Sequence, residues 1–258
     1  MEEDAVRQER ELVDLCRRVI AQAEKEKVVL RGLGAVAFRI HCPRFKHIEY
    51  AVGRYLTDLD FGTYARHLPG VERVFSALDF VQDEQLKALH GMERRVFDHP
   101  SGWHADVFVD RLRFCHDIEF KGRLEADELT IPLAELLLEK LQIVGFEPKD
   151  SVDTFVLLRE HEVGKGDAET INEDIIAKIC GDDWGFWMTI HMNLERMEQY
   201  AREAALPVSP EDREDVLGKI ARLRQRIDDE PKSLRWRMRA RVGTRVPWYR
   251  EVEEISRQ

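Results

Sequence analysis

The sequence predicts an α+β fold: a mixed sheet with an N-terminal helix over residues 1–130, then a helical domain over residues 131–258. Three observations carry this prediction. Alternating apolar and polar residues recur at 56–61, 94–99 and 104–110, as half-buried strands require. A β-branched run at 28–30 leads into glycines and then a stretch of helical character. After residue 130 the apolar spacing changes to the three-to-four-residue period of amphipathic helices and keeps it.

The 258 residues make one large domain or two small ones. That length buries a substantial core without disulfide or metal staples. With 43% hydrophobic and 35% charged residues the chain reads as soluble and folded throughout. No apolar run approaches a membrane span, and the acidic N-terminal stretch is not the pattern of a secretory signal. Fifty acidic against 40 basic residues give a net charge of −10. Such a balance disfavours a protein that coats nucleic acid non-specifically but leaves room for a local basic patch. Cys16, Cys42, Cys115 and Cys180 form no CxxC pair. That argues against a zinc knuckle and for a reducing compartment, so the chain reads as cytoplasmic.

In chain order, Val6, Leu12, Val13, Leu15, Cys16, Val19 and Ile20 predict a helix over 3–26. Val28, Val29 and Leu30 predict a short strand, Arg31 to Gly34 a turn, and 34–40 a second helix. Residues 42–57 read as irregular, 56–61 as a strand and 70–80 as a helix. The runs 94–99 and 104–110, joined by Pro100, Ser101 and Gly102, predict a hairpin or adjacent strands, and 118–124 a further strand. Pro132 suits the first turn of a helix over 133–144. Further helices are expected at 149–161, 168–180, 183–204, 210–228 and 231–241, two of them punctuated by Pro207 and Pro210.

The most informative residues are Asp58 and Asp60. On a strand, i and i+2 share a face, so the two carboxylates stand side by side while Leu59 and Phe61 face the other way. Like charges so close repel, and a divalent cation such as Mg²⁺ resolves the repulsion. A second acidic strand carries Asp106, Phe108 and Asp110 on one face and Val107 and Val109 on a buried back face. Paired beside the first, it lets Asp106 complete a three-carboxylate site, with Asp110 a strand-end residue farther along. The alternative is solvated aspartates on an edge strand.

The run from Val28 to Arg39 reads as strand, glycine turn and helix. Glycines let backbone approach a phosphate, and a helix N-terminus offers free N–H donors. Taken in order, Gly34-Ala35, Arg54, Thr57, Asp58, Asp60 and Asp106 resemble the nucleotidyltransferase superfamily of DNA polymerase beta. Residues 132–158 resemble the lysine helix and the Lys-Asp-x-x-Asp helix of its abortive-infection toxin-type members, usually the toxin half of a bacterial toxin–antitoxin pair. The likeness covers residues 28–160, and nothing after 165 carries such a motif.

The resemblance implies a mechanism. Asp58 and Asp60 bind Mg²⁺ (or Mn²⁺) with an NTP, Asp106 helps activate an attacking hydroxyl, and the Gly34-Ala35 turn holds the triphosphate. In-line attack at the α-phosphorus then transfers NMP and releases pyrophosphate. One departure stands out: the family's turn carries Gly-Ser or Gly-Gly, whereas Ala35 supplies backbone donors but no hydroxyl. The expected acceptor is RNA, such as a tRNA end, with an antitoxin protein as partner. A small-molecule nucleotidyltransferase of the aminoglycoside type, and a non-catalytic nucleotide- or partner-binding protein of the same fold, are the alternatives.

Lys140 projects from the apolar stripe of Leu133, Leu136, Leu137, Leu141 and Val144. A lysine there snorkels or finds an anion: a triphosphate, Asp150 or Asp153. Asp153 lies on the side of Val156 and Leu157, so it reads either as Lys140's structural partner or, through the resemblance, as a nucleotide-binding residue. Residues 232–250 hold Lys232, Arg235, Arg237, Arg239, Arg241, Arg245 and Arg250 without an acid, interleaved with Trp236, Trp248 and Tyr249. That composition suits an RNA backbone and stacked bases, or a terminal helix docking its aromatics on the body. His41, His47, His99, His104 and His116 show no metal spacing, although His104 precedes the acidic strand. Trp184, Phe186 and Trp187, with Met188 and Met192, read as helix packing.

Overall fold

The computed structural model describes residues 2–252, with side chains from residue 6 onward. The chain is a mixture of helix and strand around one mixed sheet. Helix α1 (Glu2–Lys25) leads to β1 (Leu30–Leu33), α2 (Gly34–His41), α3 (Lys46–Ala51) and β2 (Leu59–Thr63). Then come α4 (Leu68–Ser76), β3 (Val81–Gln82), α5 (Glu84–His90), β4 (Arg94–Asp98) and β5 (His104–Val109). A small hairpin of β6 (Arg111–Arg113) and β7 (Asp117–Glu119) precedes α6 (Leu133–Leu141) and α7 (Pro148–Glu160). Strands β8 (Glu162–Gly164) and β9 (Thr170–Asn172) pair in parallel before α8 (Glu173–Asp182), α9 (Trp184–Glu203), α10 (Pro210–Asp229) and α11 (Leu234–Val242). No helix among the described residues is long and apolar enough to cross a membrane.

The main sheet has the order β1-β2-β5-β4-β3. Strand β2 runs antiparallel to β1 and parallel to β5, and β4 closes a hairpin on β5. Its back face buries Leu59, Phe61, Phe97, Ala105 and Val107 with α1 and α4, where Phe75 stacks on Phe97 at 4.1 Å. Each such fully buried ring contributes about 1.5–3 kcal/mol. A second cluster runs from Leu33, Phe38 and Phe108 through α6, α7, α8, α9 and α10, so residues from both halves of the chain share one core. Helix α6 lies at its centre and is buried along its whole length, charged residues included. All four cysteines are unpaired and buried.

Several boundaries differ from those expected, each for a local reason. Strand β1 runs 30–33 rather than 28–30, so Gly32 lies within it and Gly34 alone makes the turn. The irregular stretch 42–57 contains α3, a six-residue helix anchored by buried Ile48 and Glu49, too short to show a period. Strand β2 begins at Leu59, which leaves Asp58 just before it. Helix α5, capped by the Asp83 carboxylate on the N–H groups of Gln85 and Leu86, was not anticipated. The strand expected at 118–124 is only β7, paired with β6. The helix expected from 168 starts at Glu173, because β8 and β9 pair first and Asn172 caps the helix.

Candidate active site

The sheet register assembles the predicted carboxylates. In the parallel β2–β5 ladder Asp60 stands directly opposite Asp106, and Asp58 lies two residues upstream of Asp60. Helix α2 begins at once after β1, whose last residue, Leu33, pairs with Asp60. Gly34 has φ +68°, and a Cβ there would come within 2.3 Å of the Asp60 carboxylate. Glycine is therefore required at this one position by both backbone and space. The outcome is a cleft of about 730 Å³ whose lining includes Gly34, Ala35, Arg54, Thr57, Asp58, Asp60 and Lys140. Other grooves are as large, so chemistry rather than volume singles this one out.

The electrostatics follow from the packing. Burial pushes the Asp60 carboxyl well above its ordinary range, and the neighbouring Asp58, Asp106 and Glu139 push it further. The Thr57 hydroxyl donates to Asp58 at 3.1 Å. Asp106 is buried and held by both ends of the Arg94 guanidinium, at 2.7 and 3.3 Å. Lys140 reaches Asp153 at 3.2 Å, Glu139 at 3.7 Å and Asp150 at 3.9 Å. Burial alone would discharge Lys140, but Asp153 and the two other acids more than offset it and strengthen its hold on the proton. Arg54 makes a two-point bond to Asp153 at 3.2 Å each. Burial raises the Asp153 carboxyl, yet Lys140 and Arg54 together overcome it and hold it below the usual carboxylate range.

The predicted residues thus divide. Gly34, Ala35, Arg54, Thr57, Asp58, Asp60 and Lys140 line one cleft. Asp106 adjoins it through the register. Asp153 is fully buried beneath Lys140 and Arg54 and does not line the cleft. Asp150 also serves its own helix, accepting the N–H of Glu147 at the start of α7. Asp110 lies beyond β5 at φ +62° and accepts the Ala65 N–H, which removes it from the site. His104 is paired with Asp98 at the other end of β5.

Two important residues went unread in the sequence. Glu139 accepts the Gly34 N–H at 3.0 Å, so a carboxylate already occupies the N-terminus of α2. Arg94 lies in the alternating run 94–99, which marks it only as a strand residue. The opposite-register positions Arg94↔Phe108 and Val96↔Asp106 show why: Arg94 reaches Asp106 diagonally across β4 and β5, which needs the hairpin register.

The basic C-terminal stretch is partly folded onto the body. Trp236 packs edge-on against Trp187 at 5.3 Å, and the Trp248 indole donates to Thr189 at 3.1 Å. Arg239 bonds the carbonyls of Gly243, Val246 and Pro247 and covers Trp184, while Arg250 pairs with Asp117. Arg235, Arg237 and Arg241 are exposed. Tyr249, Arg250, Glu251 and Val252 reach the rim of the cleft. No protein-family model, no curated protein and no solved structure matches this chain.

Proposed function

We propose that this chain is a Mg²⁺-dependent nucleotidyltransferase with the core of the DNA polymerase beta superfamily, of the abortive-infection toxin type, with a C-terminal helical bundle. It transfers NMP from an NTP to a hydroxyl acceptor. The observation that carries this reading is the register of Asp60 opposite Asp106, with Asp58 upstream and Gly34 packed on Asp60. The donor set is all oxygen, which fits Mg²⁺ or Mn²⁺. Burial and the neighbouring acids hold the Asp60 carboxyl above its ordinary range, and a bound cation would favour its ionised form. Asp58, Asp60 and Asp106 would hold the cation, which when bound supplies neutralisation of the triphosphate and of the entering and leaving oxygens.

The remaining roles belong to the chain's own residues. Lys140 and Arg54 offer positive charge to phosphate oxygens, and Asp153 fixes both from beneath. Thr57 orients Asp58. The N–H groups of Gly34 and Ala35 take triphosphate oxygens once Glu139 gives way at Gly34. An acceptor hydroxyl attacks the α-phosphorus in line, the new O–P bond forms as the bond to pyrophosphate breaks, and Asp106 receives the proton. RNA is the favoured acceptor, since Arg235, Arg237 and Arg241 stand exposed on α11. The cell compartment in this reading is the cytoplasm, with an antitoxin as a further partner.

A second reading, a non-catalytic nucleotide- or partner-binding protein of the same fold, draws on two observations. Arg94 engages both oxygens of Asp106, and Glu139 fills the phosphate-like position at Gly34. The test is incubation with total RNA, Mg²⁺ and each NTP in turn, radiolabelled on the α- or the γ-phosphorus. Transfer predicts RNA labelled from the α-position only, abolished by Asp58→Asn with Asp60→Asn and weakened by charge reversal of the exposed Arg235, Arg237 and Arg241. No α-label in RNA or in any small acceptor favours the second reading.

A further inference from the structure

At the far end of α2 from Gly34 lies a different cluster. His41 is the last residue of α2, and His161 directly follows α7. Glu169 comes from the loop between β8 and β9. One ligand atom from each lies within 4.8 Å of the other two. The two histidines are far apart in sequence, so no spacing motif announces them, in keeping with the absence of metal spacing among the sequence's histidines.

The hydrogen bonds fix which ring nitrogens are bare. His161 Nε2 lies 3.0 Å from the carbonyl oxygen of His41, which can only accept, so Nε2 carries the hydrogen. His161 Nδ1 has only a longer contact, 3.4 Å, to the Glu169 backbone carbonyl, and in the neutral ring that nitrogen is bare of hydrogen and carries the lone pair. His41 Nε2 lies 2.6 Å from the Thr130 hydroxyl, whose own hydrogen goes to the Ile131 carbonyl at 2.9 Å. His41 Nε2 is therefore also the donor, and its Nδ1 is bare too. Both bare nitrogens face the Glu169 carboxylate, at 3.6 Å from His41 and 3.5 Å from His161. With both rings neutral, three acceptors converge here.

We infer that His41, His161 and Glu169 form a site for a divalent transition-metal cation of the zinc class. Donors around a tetrahedral ion stand roughly 3.3 Å apart. Here the rings face different oxygens of the Glu169 carboxylate, at 3.6 and 3.5 Å, and the three donor atoms lie within 4.8 Å of one another, so the exposed Glu169 side chain turns and the cluster contracts to close on an ion. The outer hydrogen bonds from each Nε2, to Thr130 and to the His41 carbonyl, orient the rings as the partners of metal-bound imidazoles do. Helices α2 and α7 both end here, and the carbonyl ends of helices favour cations. The Glu169 side chain is 70% exposed and borders a groove of about 890 Å³, which leaves the fourth position to water. Imidazoles select zinc, nickel or copper over magnesium, so this site is chemically separate from the carboxylate cleft. Filled, it ties the end of α2 to the end of α7, the helix that carries Asp153.

Titration calorimetry of Zn²⁺ alone into the metal-stripped full chain tests this. The Asp58→Asn/Asp60→Asn background silences the carboxylate cleft. One Zn²⁺ per chain is expected in that background. Glu169→Ala, an exposed position that leaves the core untouched, is expected to weaken it by at least the roughly 10–100-fold that losing an outer partner costs. Thr130→Val, which removes an outer partner, should weaken it by about 10-fold. Co²⁺ in place of Zn²⁺ should give the intense visible bands of a tetrahedral site, lost in Glu169→Ala. Absence of Zn²⁺ binding in the folded background chain, or binding unchanged by Glu169→Ala, would overturn the inference.

Discussion

The two ends of α2 meet opposite chemistries. At Gly34 stand Asp58, Asp60, Asp106 and Glu139, hard oxygen groups whose charge is partly answered by Arg94, Arg54 and Lys140. At His41 stand two imidazoles and one carboxylate, and among the described residues Glu169 pairs with no lysine or arginine. A metal entering the first cluster competes with cations that the fold already supplies. A metal entering the second replaces the contacts of the two rings with Glu169 and meets no lysine or arginine paired to that carboxylate. The difference teaches that a cluster's donor types and its standing counter-charges, more than its acidity, decide what it selects.

The largest expected effect that separates the two ends is on stability. Lys140→Met removes the cation between Asp153, Glu139 and Asp150. Leaving a buried acid without its partner costs about 3–5 kcal/mol, to be read from urea unfolding. Zn²⁺ affinity at His41 should change far less, and an equal loss at both ends would break the comparison.

The next effect is a pH dependence from Glu49, which pairs with Arg39 of α2 at 3.3 Å. Burial holds the Glu49 carboxyl up at about 8 against an ordinary 4.5, with Asp153 adding to the rise and Arg39 opposing it. The folded chain therefore keeps a proton that the unfolded chain gives up. The contribution is full below about pH 4.5 and is lost as pH rises to about 8, on the order of 1 kcal/mol per pH unit. Glu49→Gln should flatten that slope in unfolding titrations. An unchanged slope would show that Glu49 is ionised in the folded chain.

Gly34→Ala comes third. The added methyl strains a φ of +68° and meets the Asp60 carboxylate, which should cost about 1–3 kcal/mol in thermal unfolding and weaken Mg²⁺–NTP binding. The smallest effect is Ala35→Ser, which restores the hydroxyl of the resembled family. It should raise Mg²⁺–NTP affinity by a few-fold, about the worth of one hydrogen bond, with no change in Zn²⁺ binding.

How much of this was legible in the sequence depends on the distance over which each contact is made. The back-to-front alternation of Leu59, Asp60 and Phe61, and of Asp106 and Val107, reads locally and is found in the sheet. The hairpin of β4 and β5 and the run of helices after Pro132 follow from period and punctuation alone. Strands β8 and β9 did not show, because three-residue parallel strands have no period and take their stability from α6 and α10 around them. The proximity of Lys140 to Asp153 was foreseen as one of several choices, since both project from apolar helix faces. Glu139 was not, because its partner is a backbone N–H 105 residues away. The His41–His161–Glu169 cluster joins segments that share no motif, and only the packing of α2 against α7 brings them together.

The nucleotidyltransferase reading is tested most directly by titration calorimetry of each NTP into the full chain, with and without Mg²⁺, on the wild type and on Asp58→Asn/Asp60→Asn. At least one NTP is expected to bind only with Mg²⁺ and to lose that binding in the double variant. A folded wild-type chain that binds no NTP, or binds one regardless of Mg²⁺ and of both substitutions, would contradict it.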